Sequence, residues 1–253
     1  MDPVRKSALV VGVLFIVTFI ASIPPAFIFY TPVLNDSHYI LGAGADTRIF
    51  VGAFFEVILI ISGIGTAVAL FPVVRRQHEG IALGYVAARI IEATMVAVGI
   101  VSLLAVVTMR RDFAGSGGDA ATFVVVGKAL VAVHKWTFLL GPGFCPGIEN
   151  GLILGYLMYR TRLVPRPIAV LGLIAGPLAI IAGTGELFQL FPQLSGTAGA
   201  LTFPEALFEA VLGIWLTVKG FRPSAVNPAT VRDDQNHSTE RVVGSSDSST
   251  QAR

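Results

Sequence analysis

Six apolar runs constrain this chain more than any other feature: 7–30, 49–74, 81–109, 136–159, 167–191 and 203–221. The hydrocarbon core of a bilayer is about 30 Å thick and a helix rises about 1.5 Å per residue, so about 20 apolar residues span it. In hydrocarbon each segment must satisfy its own backbone N–H and C=O groups, which makes every run a helix. The expected fold is therefore all-α: a polytopic bundle of six transmembrane helices. Composition agrees, with 54% hydrophobic and only 13% charged residues in 253, where soluble domains carry about 25% charged. That excludes an ordinary cytosolic enzyme, a disordered protein and a nucleic-acid-binding domain. The balance of 18 Lys+Arg against 16 Asp+Glu offers no footprint for nucleic acid. The partner this composition names is the lipid bilayer.

A further stretch, 120–135, is apolar enough to suggest a seventh span but contains Lys128, His134 and Lys135. Charge placement decides. With six spans and a cytoplasmic N-terminus, the inner side collects Arg5, Lys6, Arg75, Arg76, Arg160, Arg162, Arg166, Lys219 and Arg222. The outer side holds Arg48, Arg110, Arg111, Lys128 and Lys135. A seventh span would move the cluster at 160–166 outside, against the positive-inside rule. Residues 120–135 are thus expected as an amphipathic interfacial helix on the outer face, leading into span four, with both termini cytoplasmic. Arg5 and Lys6 precede an apolar run longer than a signal-peptide core, with no clear cleavage site after it; a retained span kinked by Pro24 and Pro25 is expected. Two parts follow: a membrane domain at 1–222, and a Ser-rich tail at 223–253 too poor in apolar residues to form a core and expected to be disordered. Asn35-Asp36-Ser37 matches a glycosylation sequon on the outer side.

Four strings, GADTR at 44–48, LGYVAARIIE at 83–92, WTFLLGPGF at 136–144 and LGYLMYRTRLVPR at 154–166, are similar in order and spacing to the bacterial membrane proteins grouped as the domain-of-unknown-function family DUF4386. The resemblance covers roughly 5–222. It implies a bacterial plasma (inner) membrane location, and brings no reaction, cofactor or catalytic residue with it.

Ionisable side chains are costly in hydrocarbon, so they face the bundle interior and pair. The candidates are Glu56 in span two, Arg89 and Glu92 in span three, Glu149 and Asn150 in span four, and Glu209 in span six. Glu186 lies toward the outer end of span five. Glu205 sits in Thr202-Phe203-Pro204-Glu205, which reads as a capping box that starts the last helix at the outer surface. Arg89 and Glu92 are three residues apart and share a helix face with Tyr85, so a local ion pair is the plain expectation; Arg89 gripping an anionic group is the functional alternative. Carboxylates outnumber cations at core depth, so some must hold protons or a bound cation. Gly143, Gly147, Gly151 and Gly155 form a small-residue ridge on span four, with Glu149 on the opposite side. Both sides of span four should therefore be covered by protein.

The catalytic inventory is thin. No zinc, P-loop or nucleophile-elbow motif is present. His134 beside Lys135 and Trp136 reads as an interfacial anchor, and Cys145 as a buried, inert thiol. No cofactor or metal is expected, and the reading leans against an enzyme. Three functions stay open, in this order. The first is a non-enzymatic bundle with a polar site for a proton, cation or small solute, formed by Glu56, Arg89, Glu92, Glu149, Asn150 and Glu209. The second is a structural or accessory subunit, in a homo-oligomer or with a membrane-protein partner. The third is an intramembrane enzyme acting on a lipid or isoprenoid.

Overall fold

A computed structural model describes residues 3–36, 38–42, 44–116 and 118–222. The tail expected at 223–253, and Ser37 of the sequon, lie outside the described residues. Among the described residues there is no strand, and six helices are long and apolar enough to cross a membrane. They are α1 (Pro3–Pro24, extended by a wide π turn at Pro25–Phe29), α2 (Asp46–Val74), α3 (Glu79–Ser116), α4 (Ala120–Thr161), α5 (Arg166–Leu187) and α6 (Gly196–Val218).

Sequential packing closes these helices into a ring. α1 packs on α2, α2 on α3, α3 on α4, α4 on α5, α5 on α6, and α6 returns to α1. The closing contact is tight: a Cβ on Gly12 of α1 would stand 2.8 Å from the Gly213 carbonyl oxygen of α6. Six crossings put both ends of the ring on one side. There, Arg5 donates to the carbonyl oxygens of Leu216 at 2.9 Å and Thr217 at 2.8 Å, supplying donors to a helix C-terminus whose carbonyls have no partner within the helix. The apolar core at this end joins Phe15, Leu70, Tyr85, Leu157, Phe208 and Leu212. Outward-pointing Phe54, Ile61 and Val101 are each more than 60% exposed, as expected where lipid is the solvent.

The opposite end is built from longer helices. α3 has 38 residues, about 57 Å at 1.5 Å per residue, well beyond the hydrocarbon thickness. The helix expected at 120–135 is the first part of α4; it lies against α3 and runs on into the fourth span. Asp119 caps it, accepting from the backbone N–H groups of Ala121 and Thr122. The Asp46 carboxylate at the start of α2 takes Arg110 and Arg111 from α3, and Tyr39 donates to it at 3.0 Å. This lock gives the GADTR string its physical sense. Burial, together with the carboxylate it bonds, pushes the Tyr39 phenol up to about 12.

Helix α6 begins differently from the expectation. Ser195 caps it, its Oγ accepting from the Ala198 N–H at 3.3 Å. Thr202-Phe203-Pro204-Glu205 is therefore helix interior, with Pro204 inside the helix, and Glu205 is buried among helices instead of capping at the surface. The box pattern misled because Thr, Pro and Glu suit a helix start, while the apolar turn before them allows the helix to begin sooner.

Candidate functional site

Span four is central because it cannot be a regular helix. Pro142 and Pro146 lack a donor N–H and crowd the preceding turn, and α4 takes up this defect in wide π turns at Leu139–Gly143 and Gly147–Leu154. Such turns recur at functional sites. Gly147, Gly151 and Gly155 face α5, where a Cβ on Gly151 would strike the Cα of Gly176. The opposite side carries Glu149, fully buried against α3. Protein thus covers both sides of span four.

Arg89 is the hub. It is 3% exposed, and its Nη1 donates to Glu149 Oε1 and, at 2.9 Å, to Glu92 Oε2. Its Nε donates to the Gly63 carbonyl oxygen at 3.3 Å, and Nη2 reaches Thr66 Oγ1 at 3.5 Å. Gly63 leaves room for the fork, since a Cβ there would come within 3.2 Å of Nη2. Asn150, also fully buried, continues the network: its Oδ1 accepts from the Tyr85 hydroxyl at 3.1 Å, and its Nδ2 donates to Glu209 Oε1 at 2.6 Å. Glu205 lies one turn before Glu209, against Gly151 and only 4% exposed. Among the described residues, neither Glu205 oxygen, nor Glu149 Oε2, has a hydrogen-bond partner.

Of the residues singled out from the sequence, Arg89, Glu92, Glu149, Asn150 and Glu209 therefore meet in one network drawn from α3, α4 and α6, with Gly63 and Thr66 of α2 at its edge. Arg89 sits ten residues into α3, about 15 Å along it, a distance equal to half the thickness of a hydrocarbon core. Four carboxyls, counting Glu205, share this region with one guanidinium. Glu56 stands apart. Its Oε2 accepts from the Tyr30 hydroxyl at 2.6 Å, beside a separate cavity of about 650 Å³ toward the end of the bundle remote from Arg5 and Val218.

His134 is another correction. It is buried, edge-on to the Tyr30 ring at 5.4 Å, with Nδ1 3.4 Å from the Gly99 carbonyl oxygen. The exposed interfacial partners are its neighbours Lys135 and Trp136; one residue further round a helix is enough to turn a side chain from the surface to the interior. Cys145 is buried as expected, its thiol donating to the Leu140 carbonyl oxygen at 3.4 Å. Among the described residues, no group of three or more His, Cys, Asp or Glu side chains is placed to hold a metal ion.

Sequence reasoning missed Tyr30 and Thr66 and misjudged Glu205. A signal for Glu205 was present: it precedes Glu209 by four residues and so shares its helix face. Tyr30 gave none, because its partner lies 26 residues away on another helix.

Six apolar helices arranged around a buried polar network define a polytopic integral membrane protein. The family model described as a domain of unknown function (DUF4386) matches residues 10–220, and the chain belongs to that family. No curated protein and no solved structure matches it.

Proposed function

We propose that this is a non-enzymatic bundle whose interior binds a proton, a small cation or a small cationic solute in a transport-like role. The Arg89 network, made by Glu92, Glu149, Asn150 and Glu209 and extended to Glu205, is the site. One observation carries the reading: four carboxyls share the region of one guanidinium, which bonds two of them, and three of their buried oxygens have no hydrogen-bond partner among the described residues. Unbalanced buried charge costs several kcal/mol per ion, so bound protons or a cation would restore the balance. The π turns of α4 support the reading, since irregular backbone at membrane depth is tolerated where it lines a polar interior. We place the protein in a bacterial plasma membrane with both termini cytoplasmic, as basic residues on the side of the termini outnumber those on the other. Residues 1–222 act as one membrane unit and 223–253 as a cytoplasmic tail.

Purified protein in nanodiscs tests this through its thermal stability as pH, Na⁺ and K⁺ are varied. The wild type should respond to at least one of them, and Glu149→Gln should alter that response. Stability independent of all three, or the same response in the variant, would sink the proposal.

A second reading has its own support, because the bonds of Arg89 to Glu149, Tyr85 to Asn150 and Asn150 to Glu209 all join different helices. Such bonds contribute about 0.6 kcal/mol each on average, enough in combination to hold a scaffold or accessory subunit together. On that reading Gly147→Leu abolishes assembly while Glu149→Gln is mild, and a membrane protein or a second copy of this chain co-purifies in fixed ratio.

A further inference from the structure

The cavity beside Glu56 is separate from the Arg89 network and has a different chemistry. About 650 Å³ in volume, it lies between the end of α1 and the residues after it (Ala26, Tyr30, Leu34, Asn35), α2, α4, α5 and the α5–α6 turn, within the range of pockets that enclose drug-sized molecules. Its ionisable lining is Glu56, Glu186, His134 and Lys135. Glu56 is 6% exposed, and Tyr30 occupies only its Oε2, leaving Oε1 to the cavity. With Nδ1 of His134 donating to the Gly99 carbonyl oxygen, its Nε2 is left as an acceptor. Lys135 is exposed at the rim. The inner polar wall therefore offers acceptors and, in Glu56, a carboxyl able to balance a bound cation.

The remaining lining is chiefly apolar and aromatic. Tyr30, Trp136, Phe138 and Phe191 bring aromatic rings to the same space, and aromatic faces attract a desolvated cation. At the mouth, Leu190 is 75% exposed and the adjoining Phe188 is 71% exposed, an apolar sill from which a molecule dissolved in the membrane interface can enter. The turn forming this wall is pinned in place. Phe191 packs on Gly185, where a Cβ would collide with its ring, and Gln193 Nε2 donates to the Lys135 carbonyl oxygen at 3.1 Å. Gln189 and Leu194 both take left-handed backbone, at φ 57 and φ 58, conformations a non-glycine residue holds only where its surroundings demand it.

We propose that this cavity is a binding site for a hydrophobic organic cation, an amine or onium carrying aryl or alkyl groups, with Glu56 as the inner counter-charge and Glu186 as the outer one. The site goes beyond the proton or cation reading of the Arg89 network and does not depend on it.

Equilibrium binding of tetraphenylphosphonium to the protein in phosphatidylcholine nanodiscs tests it, with tetraphenylborate as a probe of the same shape and opposite charge and with empty nanodiscs subtracted. The cation should bind saturably and the anion should not. Glu56→Gln should weaken binding at least about tenfold, as loss of a buried charge partner does, and Glu186→Gln should weaken it less. Ala132→Trp, which fills the lining from an exposed position, should block it, while Glu149→Gln should stay within about twofold of wild type. Absence of saturable binding, or equal binding of the anion, would overturn the proposal. So would binding that survives Ala132→Trp. If Glu56→Gln does not fold, unchanged affinity in Glu186→Gln overturns it alone. An equal loss in Glu149→Gln would merge the two sites and refute their separation.

Discussion

Gly151→Ala is the sharpest probe of how α4 meets α5. A Cβ at Gly151 would strike the Cα of Gly176, with the Gly176 nitrogen at 2.7 Å and Glu205 Oε2 at 2.8 Å, where ordinary contacts are 3.4–4 Å. Two of these atoms are backbone and cannot rotate away, so the helices must part by roughly 1 Å, an overpacking cost of about 1–3 kcal/mol. Alanine also favours a helix over glycine by about 0.5–1 kcal/mol. Gly84→Ala removes that complication: it receives the same helix preference in α3, where a Cβ meets nothing within 4 Å. The difference between the two variants is then the overpacking alone. For a chain of this size 1 kcal/mol moves the midpoint by about 2–4 °C, so Gly151→Ala should unfold roughly 2–12 °C below Gly84→Ala. Tryptophan fluorescence during heating, in one detergent or nanodisc preparation, reads it. Coincident midpoints would refute the close approach of α4 and α5, and with it the placement of Glu205.

Three further outcomes follow from the same geometry. Arg89→Ala leaves Glu149 and Glu92 without their cation and should destabilise the bundle by about 3–5 kcal/mol, read by thermal unfolding, with partial recovery when Glu149→Gln is added. Tyr39, raised to about 12 when folded, contributes stability that is full below its unfolded value near 10 and is lost as pH rises through the folded one; Tyr39→Phe should flatten the loss of stability between about pH 10 and 12. Asp119 is held below its ordinary value by hydrogen bonds from the Thr122 hydroxyl and the backbone of Thr122 and Ala121. Its cap is therefore present above the ordinary carboxylate range and is lost as pH falls through the lowered value. Asp119→Ala should lower the amide-exchange protection factors at Ala121–Phe123 at neutral pH, as acidification through the lowered value does in the wild type.

The spans were legible because hydrocarbon imposes a length, and apolar runs of that length stand out in a chain with so few charges. The Arg89–Glu92 pair was legible for a local reason: a separation of three places both side chains on one face. The glycine ridge of α4 followed from the same periodicity at Gly147, Gly151 and Gly155, whereas Gly143 turns toward Leu139 of its own helix. What stayed hidden depends on helix rotation and on pairs remote in sequence. The expected polar site grouped Glu56 with Glu92 and Glu149, yet α2 turns Glu56 toward Tyr30 and the cavity while Gly63 and Thr66, two and three turns further on, meet Arg89. Pro204 disguised the true start of α6 and with it the burial of Glu205. His134 was hidden by two exposed neighbours that suit an interface.

Charge movement in the reconstituted protein reports on ion binding at the Arg89 network. Proteoliposomes on a solid-supported membrane receive steps in pH, Na⁺ or K⁺, and the transient current is recorded for the wild type, Glu149→Gln and Glu205→Gln. The expected result is a saturable displacement current for one of these ions in the wild type, reduced or abolished in both variants while thermal unfolding shows them folded. Folded wild-type protein that gives no current for any of the three, or currents identical in all three proteins, would contradict a proton- or cation-binding site at the Arg89 network.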